Sequence, residues 1–358
     1  MIDCTLPVSG DNAAYLQNIL DSGASLALCE GETYQIGTTL FHRRSAQEIF
    51  TQGLPTAEQD QARLELSSSD ESGAVWAMGI PGASLHHVTI DGMAPTLGRV
   101  VYPGEPLVEF ADSQRAYIGY NHIKNARGWD TLHCSEGSDG SVVEYNTVGP
   151  SGSHDSDPAT DPPWSDGLTV AARDVEVAWN TIIDTTDVAL NVFGASGSKV
   201  HENTVIQTGG TLVHIAIGMT DPPPQFNYVG TEVYNNVVRS EGGRVLIGFN
   251  MGPNSFGFDP TCRASDPLEG ASVHDNHLEG TNFKYGYATN GVRDWAIFDN
   301  TADGSFSGPI PDGCSGNVAA PRAFACQIET TNDGVCPTGF DVITYPENLD
   351  GLLNPLGP

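Results

Sequence analysis

The sequence predicts an all-β protein built as a single parallel β-helix, a solenoid with a short N-terminal capping helix and an irregular C-terminal cap. Three observations carry this expectation. First, one pattern recurs: an apolar residue, two variable residues, an asparagine, one more residue and a second apolar residue. The copies are Ile118-Asn121-Ile123, Val143-Asn146-Val148, Val177-Asn180-Ile182, Val200-Asn203-Val205, Val233-Asn236-Val238, Val273-Asn276-Leu278 and Ile297-Asn300-Ala302. Their asparagines are 25, 34, 23, 33, 40 and 24 residues apart, so a period of 23 to 25 carries three insertions, and self-similarity of this kind marks a repeat architecture. Second, strand side chains alternate between faces, so Val200 and Val205 cannot both face one core along an unbroken strand. The chain must bend between them. Asparagine tolerates the left-handed backbone of such a bend, and its amide could bond stacked neighbours. Third, β-branched residues dominate the repeat, and no helix-period apolar stripe fits between copies.

Taken in order, residues 1–30 read as an N-terminal cap. Asp11 to Gly23 forms a short amphipathic helix with an acidic N-cap, Ala13, Leu16, Ile19 and Leu20 on one face, and a terminal glycine. It would plug the open end of the core. The solenoid then runs over 31–305, beginning with Tyr34 and Ile36. Leu85 with Val88 marks an early coil, and 44–75 forms a protruding loop or weak coil. Glycine, proline and cysteine mark 306–358 as a C-terminal cap, since the end coils of a solenoid must hide apolar surface and unpaired strand edges.

Stretches such as Asp166-Gly-Leu-Thr-Val and Asn180-Thr-Ile-Ile-Asp-Thr-Thr-Asp187-Val-Ala-Leu resemble coils of the right-handed parallel β-helix proteins of the pectin and pectate lyase-like superfamily. The resemblance covers roughly residues 30 to 305 and implies the handedness and a polysaccharide-acting enzyme. The paired Asp-Asp and Gly-His-Gly motifs of polygalacturonases are absent, as is the Arg-x-Pro-x-x-Arg motif of pectate lyases. Phe258-Asp259-Pro260 begins an epimerase-like motif that Thr261 and Cys262 break. The chemistry must therefore be argued from the site.

A formal charge of −30 with only three lysines, Lys124, Lys199 and Lys284, excludes nucleic acid and anionic membranes as partners, because phosphate binding needs many cations. No apolar run reaches the ~20 residues of a membrane span. The cysteines point to export: Cys4 and Cys29 bracket the N-terminal cap as an expected disulfide, and Cys262, Cys314, Cys326 and Cys336 lie in loops and the tail. Cys134, with the parity of Leu132, reads as a buried free thiol. The N-terminus lacks the basic start and apolar stretch of a signal peptide. The expectation is thus a secreted monomer in its mature form, with Met1 added for expression.

Each full coil carries a second strand after the asparagine segment. These strands open at Trp129, Ser165, Thr186, Thr211, Arg244 and Lys284 and stack into one sheet. With Leu132, Leu168, Leu190, Ile215 and Ile247 inward, alternation turns His133, Thr169, Asn191, His214 and Arg244 outward as a polar stripe. Loops at 149–164, 219–230 and 251–270 leave on both sides of this sheet and would wall a groove over it.

Asp130, Asp166 and Asp187 open three successive strands of the sheet, although Asp166 has inward parity. Adjacent coils lie ~4.8 Å apart and alternate coils ~9.6 Å, values that bracket the carboxyl separations of retaining and inverting glycosidases. One carboxyl would protonate the leaving oxygen while another activates water or attacks the sugar. His133 and His214, three coils apart, are too distant to pair, but either can act alone as acid, base or hydrogen-bond partner. Asn191, Thr169, Arg244, Trp164 and Lys284 are the expected substrate contacts, with Trp129, Phe226, Phe256 and Tyr287 as further stacking surfaces. The run His154-Asp155-Ser-Asp157-Pro-Ala-Thr-Asp161 lacks the ordered spacing of an EF-hand loop, so no metal ligand is assigned, no cofactor is required, and calcium is left open.

The expected function is cleavage of glycosidic bonds in an extracellular polysaccharide by aspartates of the second-strand sheet. The alternatives are β-elimination on a uronate polymer, for which Arg173, Arg244 and Lys284 supply cations, and a non-catalytic binding or structural β-helix or a scaffold for a small-molecule reaction.

Overall fold

The computed structural model describes residues 4–100, 104–153, 164–220, 227–252, 267–307, 319–328, 331 and 334–344. The chain is a parallel β-helix: among the described residues the strands of its stacked coils pair in parallel. A full coil has three strands, two flanking the asparagine corner and a third beyond. The first sheet runs from Leu26–Leu28 through Val142–Glu144 and Thr231–Tyr234 to Ala296–Phe298. Residues 48–51 and 62–66 belong to an early coil, with Ile49 and Leu64 wholly buried.

The cap forms largely as expected. Helix α1 spans Ala13–Asp21 and buries Ala13, Leu16 and Leu20 against the first coil. Asn12 is the N-cap residue, while Asp11 Oδ1 accepts hydrogen bonds from the Ala13 and Gly37 backbone N–H groups. The Cys4–Cys29 disulfide is present, Cys326 pairs with Cys336, and Cys134 is a buried free thiol. Cys262 and Cys314 lie outside the described residues.

At the corner, Val200 and Val205 are both wholly buried, and a bend separates them. The asparagine does not carry it. The left-handed residue is the one before: Tyr120, Tyr145, Trp179, Glu202, Asn235, Asp275 and Asp299 have φ between 52° and 58°. The asparagine instead points inward and builds the ladder. Asn121 Nδ2 donates to Asn146 Oδ1 at 2.9 Å, and the same link joins Asn146 to Asn180, Asn180 to Asn203, Asn203 to Asn236, Asn236 to Asn276 and Asn276 to Asn300. Each oxygen also accepts the backbone N–H of the preceding ladder residue, as Asn203 Oδ1 does from Asn180. The chain can turn inside the stack because these amides satisfy backbone groups that the turn frees.

Outside the same corner, rings stack coil on coil. His87, Tyr120, Tyr145 and Trp179 lie with centroids 4.7, 4.8 and 5.0 Å apart and planes within 12°. Each inner ring is covered on both faces by its neighbours, so this half-exposed column offers edges and not the open face on which a sugar would stack.

Candidate active site

The third-strand sheet carries the predicted site residues. Its strands are β1 (Asp130–Cys134), β2 (Asp166–Val170), β3 (Val188–Val192), β4 (Leu212–Met219), β5 (Arg244–Met251) and β6 (His277–Thr289, which continues from the asparagine corner). Strict alternation fails on them. Ala189 and Leu190, and likewise Ala216 and Ile217, both belong to the main core, whereas Val188, Ile215, Ile247 and Tyr285 form a separate apolar cluster on the other side. Two consecutive outward residues, such as His214 and Ile215, precede the two consecutive inward ones, and Val213, Val245 and Phe283 before them are again in the core, so relative to strict alternation only the pair at the kink exchanges faces. The position that allows this is a column of small residues, Gly167, Ala189, Ala216, Gly248 and Gly286. A Cβ on Gly167 would lie 2.4 Å from the Ala189 carbonyl and 2.7 Å from Ile182 Cγ2, and one on Gly286 would lie 2.3 Å from the Ala323 carbonyl.

This kink corrects the inward parity read for Asp166. In register Asp166 pairs with Asp130, and Leu168 pairs with Leu190, which puts Asp166 level with Val188 on the outer face. There it meets Thr169 and Asn191. Asp166 Oδ1 accepts from the Val188 N–H at 2.9 Å, and Oδ2 accepts from Thr169 Oγ1 at 3.2 Å and Asn191 Nδ2 at 3.3 Å. The outer face therefore has three rows. One holds Asp187, His214, Leu246 and Lys284; the next holds Asp130, Asp166, Val188, Ile215, Ile247 and Tyr285; the third holds His133, Thr169, Asn191, Gly218, Asn250 and Ala288.

The expected alignment needs further corrections. Asp187 does not continue the Asp130–Asp166 row: it precedes β3 and sits one row over. His214 is not in line with Asn191, because β3 pairs Leu190 with Ile217 and Asn191 with Gly218. The histidine lies beside Asp187 instead, Nδ1 at 3.4 Å from Oδ1, with Trp164 edge-on at 4.6 Å. Arg244 leaves the site altogether. It pairs with Leu212 at the far end of β4 and β5, exposed in a depression with Gly210, Thr211, Gly242 and Asn282. Tyr287 is a core residue stacked between Phe249 and Phe324, not a sugar platform. Trp129 packs edge-on against His133 at 5.1 Å, and His133 Nδ1 lies 3.6 Å from Glu109 Oε1, at the other end of the row from Asn250. Phe226, Phe256, the 154–161 acidic run and Phe258-Asp259-Pro260 lie outside the described residues, as do the central parts of all three walling loops.

Electrostatically the three aspartates form one system. Burial first, and then the charge of Asp187, push the Asp166 carboxyl up to about 8, against the pull of the bonds from Val188, Asn191 and Thr169. Burial and the charge of Asp166 raise Asp130 well above the ordinary carboxylate range; Asp130 is wholly buried, with one oxygen bonded to the Leu132 N–H and Oδ2 without a partner. Asp187, with 32% of its side chain exposed, is the accessible member. Lys284 lies in the His214 row, buried, its Nζ 5.1 Å from the Tyr285 ring centroid and without a hydrogen-bond partner, and burial pulls it down to about 8. Among the described residues no group of three or more His, Cys, Asp or Glu could hold a metal ion.

The Asp166 shift has a signed consequence for stability. Between an unfolded carboxyl value of ~3.9 and about 8, the folded chain holds a proton that the unfolded chain has released. That contribution is complete below the unfolded value and is lost as pH rises through the folded one. Relative to Asp166→Asn, the wild type should lose about 1.4 kcal/mol of stability per pH unit across this window. Urea midpoints of both proteins at several pH values check it; a difference that stays flat or grows in the opposite sense refutes the shift.

No family model matches the sequence, and no curated protein matches it either. Among solved structures, the catalytic domain of Agl-KA superposes with a TM-score of 0.55 at 13% identity, covering 95% of this chain and 65% of that one. The catalytic domain of a GH87 α-1,3-glucanase variant, in complex with tetrasaccharides, superposes at 0.53 with 11% identity, covering 96% of this chain and 67% of that one. This chain thus spans about two thirds of the length of either, and the likeness is one of fold.

Proposed function

We propose that this chain is an extracellular enzyme that hydrolyses glycosidic bonds of a polysaccharide. The observation that carries the reading is a pair of carboxyls in dissimilar surroundings on neighbouring coils: Asp166, buried and pushed up to about 8, and Asp187, partly exposed beside His214. A carboxyl raised by burial next to a partly exposed one supplies an acid and its complement. Asp166 donates its proton to the glycosidic oxygen as the bond from that oxygen to the anomeric carbon breaks. Asp187 takes a proton from the attacking water, or attacks the anomeric carbon itself and is released by water in a second step. Thr169 and Asn191 hold the Asp166 carboxyl, and Trp164 packs edge-on against His214, the partner of Asp187. The two disulfides among the described residues suit an oxidising compartment, and tetrasaccharides occupy the glucanase of like fold.

A second reading, β-elimination on a uronate polymer, rests on Lys284, whose buried, unpartnered amine has the depressed pKa of a base working near neutral pH. Product analysis separates the two. New reducing ends without ultraviolet absorbance from an unsaturated uronate are expected; unsaturated ends would move the assignment to elimination. Binding of polysaccharide without products would make the chain a binding module.

A further inference from the structure

Asp187 stands at the end of a chain of contacts that begins outside the sheet. Among the described residues its carboxylate has one side-chain partner, His214, whose Nδ1 lies 3.4 Å from Oδ1. The direction of that carboxylate therefore depends on the imidazole. The imidazole is only 5% exposed and meets the Trp164 indole edge-on, with ring centroids 4.6 Å apart. Trp164 is held in turn through its backbone: Arg99 Nη2 donates to its carbonyl at 2.9 Å. The same nitrogen donates to the Gly128 carbonyl at 3.2 Å. Gly128 stands two residues before Asp130 and Trp164 two before Asp166, and these aspartates pair in register, so one guanidinium nitrogen bridges the entries of β1 and β2. Gly128 is closely fitted there, since a Cβ on it would lie 2.0 Å from the Glu105 carbonyl oxygen. Arg99 itself belongs to neither strand. It follows the short helix Ala94–Leu97, between strands Val88–Asp91 and Val108–Ala111 of an earlier coil. Charge-assisted bonds of this kind are roughly twice as strong as neutral ones, which suits an anchor.

We propose that Arg99 is a positioning residue for Asp187, acting through Trp164 and His214. The inference rests on the glycosidase reading in one respect, that Asp187 takes part in the chemistry; the chain of contacts stands without it. Removing the guanidinium frees the Trp164 backbone from the β1 entry, and the indole can then leave the imidazole. The imidazole regains the rotamers that turn Nδ1 away from Asp187. With 32% of its side chain exposed, Asp187 is the carboxylate that must meet water or the anomeric carbon, and a displacement of about 1 Å caused far from the reacting atoms can lower a rate by up to ~10²-fold. A residue on the Ala94–Leu97 excursion thus sets the aim of a carboxylate on a different coil.

The test compares wild type, Arg99→Ala, His214→Ala and the double variant, each labelled with 5-fluorotryptophan. The chain has five tryptophans, and the fluorine resonance of Trp164 is the one that disappears in Trp164→Phe. In the wild-type background His214→Ala should shift that resonance, because the imidazole lies against the indole; in the Arg99→Ala background the same replacement should leave it nearly in place. On the glycoside that the wild type hydrolyses, Arg99→Ala should lower kcat about tenfold with KM little changed, and the double variant should lose no more than the larger of the two single losses, as residues of one relay do. Guanidinium ion, added well below denaturing concentrations, should restore part of both signals to Arg99→Ala. Should that variant fail to fold, Arg99→Gln, which keeps a donor but not the charge, carries the same measurements. A lowered urea midpoint with the fluorine coupling and kcat unchanged makes Arg99 a scaffold anchor and overturns the inference, as do kcat losses that add. If the fluorine coupling is lost in Arg99→Ala but the wild type hydrolyses no glycoside, the relay stands and the hydrolase reading falls.

Discussion

Asp187→Asn is expected to lower kcat on the identified substrate by ~10²-fold or more, with folding intact. The substitution keeps the shape of the side chain and removes its capacity to take a proton or form a glycosyl ester. It also removes the negative charge that helps hold Asp166 protonated. Two signatures therefore travel together: the loss of rate, and a downward move of the Asp166 titration detectable in the pH dependence of stability. Asp166→Asn should cost a comparable factor on substrates with poor leaving groups and much less on an aryl glycoside whose leaving group needs no protonation. A structural role for either aspartate would give no such dependence on leaving group. If both variants retain near wild-type turnover, the aspartates are not the catalytic pair.

The largest effect on stability is expected at Asn203→Ala. The Asn203 side chain donates to the Val177 carbonyl at 2.9 Å and to Asn236 Oδ1 at 3.0 Å, and it accepts from the Asn180 backbone at 2.9 Å and from Asn180 Nδ2 at 3.0 Å. All of these groups are buried. Truncation strands them together, and at ~1–3 kcal/mol for each unpaired group the loss should be about 3 kcal/mol or more. Glu202→Gly, at the neighbouring residue that carries the bend with φ of 55°, should change stability by no more than about 1 kcal/mol, since glycine adopts that backbone freely. Urea denaturation of the two variants checks the contrast. Equal losses would mean that the ladder amides contribute no more than the turn geometry.

The coil architecture was legible because it rests on periodic burial, and a Val, Asn, Val spacing repeated seven times admits few solutions. What misled was the detail within one strand. The alternation rule assumes an unkinked strand, and the kink here comes from a column of small residues. Those residues stood in the sequence, each immediately before Leu168, Leu190, Ile217, Phe249 and Tyr287. Read as a column they would have placed Asp166 outward and Gly218, not His214, beside Asn191. The Asp187 offset has the same origin: aligning strands by their first acidic residue ignores where each enters the sheet. Asp166, Thr169 and Asn191 stand out in the sequence because polarity in a buried sheet is conspicuous, and the structure brings the three into one hydrogen-bonded group.

The small-residue column also bears on how such a site can change over evolutionary time. On a solenoid the distance between two side chains has two discrete settings, a whole-coil step of ~4.8 Å along the axis and a one-row step across the sheet. Inserting one coil between the neighbouring strands β2 and β3 would move two facing carboxyls across the gap that separates double displacement from single displacement. Replacing one glycine or alanine of the column by a larger residue would press against the neighbouring coil, as a Cβ on Gly167 would at 2.4 Å from the Ala189 carbonyl, and so disturb the kink that turns Asp166 outward. For the proposed hydrolase, stereochemical outcome would therefore depend on a count of coils as well as on which acids are present. The two are inherited independently, because the first changes by duplication and the second by a point substitution.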